Sequence, residues 1–257
     1  MQEDVDEHTL SDYDQKMIER YHNNIKYREL EIKQSLLDLN LSFISYFNIL
    51  KLSVFSCKKV TALLQSTSIK ELSIEYCDIQ NTDGLKLEQL EVLRLSGNQI
   101  FSISINGFKM LKELVLSQNG CVNLQCQEQT QLVKLNLSNN NFKCCQSLTN
   151  LQNLKELFMD KNQKLDISAL QHLTGLSVLS LSFCDLADIS ALNSLINLTH
   201  LNLMNNSIRS VTPLSSMSKL VYLDLQFNKI YDFAPIIFDK MFEYNFNNQI
   251  DYEEEQE

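Results

Sequence analysis

LTHLNLMNNSIRSVTPLSSMSK, residues 198–219, carries leucine at its first, fourth and sixth places and asparagine at its ninth. The next stretch, LVYLDLQFNKIYDFAPIIFDK, sets Leu220, Leu223, Leu225 and Asn228 on the same grid. The L-x-L pair alternates with period two, so its leucines face one side of a short strand while their neighbours face the other. Ile208, Val211, Leu214 and Met217 then recur at about places 11, 14, 17 and 20. That spacing predicts a turn of 3-10 or α-helix that returns the chain. A unit this short cannot cover its own apolar side, but stacked units cover one another.

Extending the grid gives ten starts: Tyr27, Ile49, Ile69, Leu90, Leu111, Leu132, Leu154, Leu176, Leu198 and Leu220. The core of each unit is L-x-x-L-x-L-x-x-N-x-I, as in LEVLRLSGNQI at 90 and LVKLNLSNNNF at 132. This pattern resembles the leucine-rich repeat of the 22-residue class, found in the regulatory subunit of protein phosphatase 1 and in internalins. DISALQHLTGLSVLSL and SVTPLSSMSKLVYLDL look very like that class, and YDQKMIERYHNNIKYRELEI leading into IKELSIEYCDI is similar to a large family of protist leucine-rich repeat proteins. The resemblance implies an α/β solenoid, a horseshoe with a parallel β-sheet on the concave face and short 3-10 or α-helical turns on the convex face. It also implies protein binding, with a phosphatase regulatory subunit as the alternative. The matching residues are scaffold leucines and asparagines, so no particular partner transfers with them.

At the ninth place the chain leaves the strand with backbone groups that need partners once buried. A side-chain amide donates twice and also accepts, so stacked asparagines bridge neighbouring turns. The expected ladder is Asn98, Asn119, Asn140, Asn162, Asn206 and Asn228, with Cys57, Cys77 and Cys184 as small substitutes. Ser168, Ser190 and Thr212 stand where they would cap the short helices. In the Leu154 unit Lys164 displaces the usual apolar residue and Leu165 follows it, which predicts a local bulge or an extra helical turn.

An open solenoid exposes its core at both ends, so the ends need caps. Tyr13, Met17, Tyr21 and Ile25 recur at helical spacing behind a capping-box start at Ser11 and Asp14, which predicts an N-terminal capping helix over 11–26. The solenoid is expected over 27–240 and a C-terminal cap over 241–250. Acidic disordered segments are expected at 1–10 and 251–257. The net charge of −10 sits at these ends: Glu3, Asp4, Asp6, Glu7, Asp12 and Asp14 at one, DYEEEQE at the other, around a nearly neutral body. No basic cluster suited to nucleic acid stands out. Residues 189–208 lack formal charge but hold five asparagines on the repeat grid, so no membrane span is expected. Seven cysteines, an odd number without metal-ligand spacing, predict reduced thiols, and the first residues lack the layout of a secretory signal. The expected location is cytoplasmic and the expected state a monomer.

The residues for catalysis are missing from the pattern. His8, His22, His172 and His200 are scattered, and there is no glycine-rich phosphate loop. Glu156 and Asp160 lie on one strand, yet acid–base work would also need a dry pocket. No enzyme activity, cofactor or metal is expected. Function is expected at the outward places 3, 5, 7 and 8 of each unit. In the first six units these are mostly charged or small. The last four place Phe158, Val178, Phe183, His200, Met204, Tyr222, Asp224 and Phe227 there, the composition of a binding surface for a protein or peptide partner.

Overall fold

The computed structural model describes residues 12–22, 25, 28–33, 38–57, 59–61, 66–129, 131–232 and 244–245. The acidic segments 1–10 and 251–257, Ser11, the first grid start Tyr27 and most of the 241–250 cap lie outside the described residues.

Each repeat contributes one strand to an eleven-stranded sheet whose neighbours pair in sequence order. The strands run from Glu29–Lys33 through Lys51–Phe55, Glu71–Glu75 and so on to Tyr222–Asp224 and Tyr244–Asn245, each parallel to its neighbours. The place-4 leucines set the register: Leu52 opposes Leu72, Leu114 opposes Leu135, and Leu201 opposes Leu223. Slipping one strand by a single residue would turn its leucines to solvent, so burial locks the register. Leu93, Leu114, Leu135, Leu157 and Leu201 are completely buried.

The convex side divides in two. From the repeat at 132 onward it carries 3-10 turns at Gln146–Leu148, Ser168–His172, Ser190–Ser194 and Thr212–Leu214, as the spacing predicts. Earlier repeats carry short convex strands as well, with one 3-10 turn at Ser42–Tyr46. Ser102–Ser104 pairs in parallel with Asn123–Gln125, and Asp38–Asn40 with Lys59–Thr61. The reason is local periodicity: in FSISI, Ile103 and Ile105 alternate with exposed residues, which satisfies a strand rather than a helical turn.

The helix caps also differ from expectation. Ser168, Ser190 and Thr212 are the first residues of their 3-10 turns and do not cap them. Their backbone N–H groups donate to Asp166 Oδ1 (2.9 Å), Asp188 Oδ1 (2.8 Å) and Ser210 Oγ (3.3 Å), each two residues earlier. In a one-turn 3-10 helix, this short side chain closes an Asx- or Ser-type turn over two residues. The bulge at Lys164 is present: Lys164 has φ of 57°, and Leu165 takes the buried place.

The capping helix spans Asp12–Tyr21. Met17 and Tyr21 face the core, and Tyr21 stacks on Phe43 of the 3-10 turn Ser42–Tyr46 at 5.6 Å between ring centroids. Tyr13 ties the helix to the first repeats, its hydroxyl accepting from Asn40 N at 2.9 Å. The helix covers apolar surface that no preceding repeat covers.

One buried polar atom is unpaired among the described residues, Gln129 Oε1. Other repeats place Phe108, Leu151, Leu173 or Leu195 at the equivalent turn position. The Ile105 carbonyl that Gln129 Nε2 contacts already accepts from Phe108 N at 3.0 Å. Gln129→Leu therefore removes an unmet acceptor and orphans no other group. It is expected to raise stability by about 1 kcal/mol, or about 2–4 °C in Tm by thermal melting. A fall in Tm would show that the amide is needed there.

Candidate interaction surface

The outward places form rows across the sheet, because equivalent residues stand opposite one another. Glu156, Val178, His200 and Tyr222 align in one row, and Phe158, Ser180, Asn202 and Asp224 in the next. Neighbouring strands lie about 4.8 Å apart, so residues in a row touch or nearly touch. His200 and Tyr222 stack with centroids 6.1 Å apart and planes 23° apart, while His200 Nδ1 shares a 3.0 Å hydrogen bond with Thr199 Oγ1.

Place 8 has its own backbone geometry. Ser56, Tyr76, Gly97, Gln118, Asn139, Lys161, Phe183, Asn205 and Phe227 all have φ between 52° and 67°. This left-handed conformation costs an ordinary L-residue about 1–2 kcal/mol, whereas glycine adopts it freely and asparagine more readily than most. Gly97, Asn139 and Asn205 suit the turn. Phe183 and Phe227 do not, and they remain 37% and 42% exposed. An aromatic held in a strained turn and left in water is a feature the scaffold itself does not require.

The outward residues thus form two margins. Val178, His200 and Tyr222 form one margin; Phe183 and Phe227 stand on the lip at the other, with Met204 half-buried on the place-7 row just inside it. Between them runs a polar floor. Asp160 Oδ1 accepts from Ser180 Oγ (2.5 Å), Ser182 Oγ (2.6 Å) and Ser182 N (2.8 Å), clipping adjacent repeats together. Asp160 is therefore a structural carboxylate, and Glu156 pairs with Lys134 at 3.2 Å. Asp224 was expected outward and available. It is 7% exposed, its Oδ1 accepting from Gln226 N at 2.9 Å and its Oδ2 lying 3.4 Å from the Tyr222 hydroxyl. Phe158 is half-buried beneath Lys134, whose Nζ sits 5.8 Å from the ring centroid.

The N-terminal half of the concave face is self-satisfied. Lys51 pairs with Glu71 (3.4 Å), and Arg94 with Glu113 (2.8 Å) and Glu71 (3.9 Å). Sequence reasoning missed Val92 and Val115, half-buried among these charges. It also left Tyr76 without a role. The Tyr76 ring lies over Gly97, where a Cβ would come within 2.2 Å of it, and its hydroxyl donates to Gln118 Oε1 at 3.3 Å. A glycine beside an aromatic at the same grid place was the available signal. Among the described residues no group of three His, Cys, Asp or Glu is placed to hold a metal, and no helix is long and apolar enough to cross a membrane.

Family models described as leucine-rich repeats match residues 65–87, 89–111, 174–216 and 196–237, each on the grid of strand and turn seen in the structure. The chain is a leucine-rich repeat protein. No curated protein sequence matches it. Among solved structures, an internalin (inlF) from Listeria monocytogenes is similar at 24% identity and TM-score 0.68, over 87% of this chain and 68% of that one. An internalin C2 from the same organism matches at 24% identity and TM-score 0.55, over 86% and 80% of the two chains. A leucine-rich repeat protein of Leptospira interrogans matches at 18% identity and TM-score 0.57, over 86% and 78%. At these identities the likeness concerns the fold. Leucine-rich repeat proteins generally serve as protein-interaction scaffolds.

Proposed function

We propose that this leucine-rich repeat protein is a non-catalytic cytoplasmic scaffold, monomeric by itself, which binds a protein or peptide on the C-terminal half of its concave face. The observation that carries this reading is the pair Phe183 and Phe227, exposed aromatics in left-handed turns that asparagine or glycine would fill at less cost. Beside them, Val178, stacked His200–Tyr222 and Met204 add apolar surface around a polar floor, the usual make-up of an interface core. All seven cysteines are free thiols, which supports a reducing compartment. No observed feature favours a phosphatase over other protein partners.

The test follows from the strain. Phe183→Asn with Phe227→Asn is expected to leave stability unchanged or raise it by up to about 1 kcal/mol, since asparagine fits the turn better. Capture of a partner from native lysate, compared by mass spectrometry, is expected to fail in the double variant. Retention of the same proteins by variant and wild type would make the two aromatics packing residues only.

A further inference from the structure

We propose a second binding site, a groove along the lip of the solenoid that takes an extended acidic peptide segment of a protein partner. It lies where the strands of the repeats at 111, 132, 154 and 176 end, and encloses about 620 Å³. Gly120, with φ of 117°, contributes no side chain at a place that Asn141 and Gln163 fill in the next two repeats, and this opens the floor. The groove does not depend on the concave-face reading and shares only Phe183 with it.

The charge of the groove runs against that of the molecule. The chain holds 32 acidic and 22 basic residues, yet the lining includes Lys143 and Lys161 and no Asp or Glu. Lysines on the concave face are paired: Lys51 with Glu71, Lys134 with Glu156. Among the described residues neither Lys143 nor Lys161 has a carboxylate within 4.0 Å. Each is nevertheless held in place. Lys143 Nζ donates to the Gln163 carbonyl at 2.8 Å, and Lys161 Nζ sits 5.7 Å from the Phe183 ring centroid. Both ammonium groups keep protons to give, and less side-chain entropy remains to be lost when a carboxylate arrives.

The remaining lining suits a peptide. Asn139 and Gln163 present side-chain amides with no hydrogen bond among the described residues, and an amide can both donate and accept, as a peptide backbone requires. Backbone donors are already used: Gln118 N, Asn139 N and Lys161 N each bond the next repeat's carbonyl. Recognition therefore falls to the side chains. Phe183 offers an apolar contact beside the lysines. A nucleic acid is charged at every phosphate and needs more cations than the two lysines of the groove supply, whereas a few spaced carboxylates meet those two locally.

The experiment is fluorescence anisotropy of the full chain with a labelled octapeptide alternating glutamate with leucine and phenylalanine. The octapeptide is expected to bind, and its affinity to fall with added salt. Lys143→Gln with Lys161→Gln is expected to weaken binding roughly tenfold, the worth of two partly exposed ion pairs. The control, Lys109→Gln with Lys155→Gln, changes the net charge equally at exposed lysines away from the groove and is expected to stay within about twofold of wild type. A peptide with lysine in place of glutamate should not bind. No measurable binding of the acidic peptide, or equal losses in the two double variants, would overturn the proposal. Tighter binding of oligodeoxythymidine through the same lysines would overturn it as well.

Discussion

Replacing Asn206 with leucine is expected to cost about 4 kcal/mol, measured as a loss in urea-unfolding stability at unchanged solvent conditions. Asn206 Nδ2 donates to Leu181 O and Leu203 O, both at 2.9 Å, and its Oδ1 accepts from Cys184 N (3.1 Å) and Leu186 N (3.0 Å). Leucine would fill the space and leave two buried N–H groups and two carbonyls with fewer partners. Each orphaned group costs about 1–3 kcal/mol, so the sum is large even after relaxation. The same pattern recurs at Asn98, Asn140, Asn162 and Asn228, each joining its own turn to the preceding repeat. Because repeat proteins hold together by nearest-neighbour interfaces, one broken rung weakens the junction between the repeats at 176 and 198. Asn206→Cys should cost roughly half as much. Cys184 Sγ already does this work one repeat earlier, donating to Met159 O at 3.3 Å, and Cys77 Sγ lies 3.5 Å from Cys57 N. A leucine variant within 1 kcal/mol of wild type, a tenth of typical domain stability, would remove the ladder from the account of cohesion.

The second large effect is alkaline unfolding. Six of the seven thiols are buried, Cys144 being exposed. Burial pushes Cys77 and Cys126 up from the ordinary 9.0 to about 11 and Cys184 to about 12, with Asp160 and Asp185 adding a smaller upward push on Cys184. Cys121 and Cys145 are raised by the same cause. A raised folded-state value means that ionisation favours the unfolded chain. The stability is complete below pH 9 and drains as the pH rises toward 11 and 12. Each of these five thiols loses up to about 1.4 kcal/mol per pH unit in that window, so together they remove several kcal/mol by pH 10. Circular-dichroism melts at pH 7.5 and 10 are expected to show a steep fall in Tm. Cys121→Val with Cys126→Val should shrink that fall, separating the thiols from tyrosines and lysines that titrate nearby. An unchanged pH dependence in that variant would assign the effect elsewhere.

Much of this was legible without coordinates. The strand leucines, the asparagine rungs, their cysteine substitutes and the bulge before Leu165 all follow from counting places, since each depends on residues within one unit and on an identical neighbour. The convex strands around Ile103 and Leu124 were partly legible, in an alternation that the 22-residue template obscured. The candidate surface was read only in outline. Places 3, 5, 7 and 8 were known to face out, but Asp224 was spent on its own strand, and Asp160 on Ser180 and Ser182 of the following repeat and on Ser138 Oγ of the preceding one at 3.3 Å.

The sequence by itself determined the repeat, its register and the face that each leucine buries, because a period of two on a strand and a fixed interval between strands leave a single way to cover the apolar side. Only the tertiary structure decided which polar side chains remain free. Lys143 and Lys161 lack a carboxylate partner among the described residues, whereas Lys51 and Lys134 each have one on the next strand. That difference depends on where side chains twenty or more residues apart meet across neighbouring repeats, which a single unit does not encode.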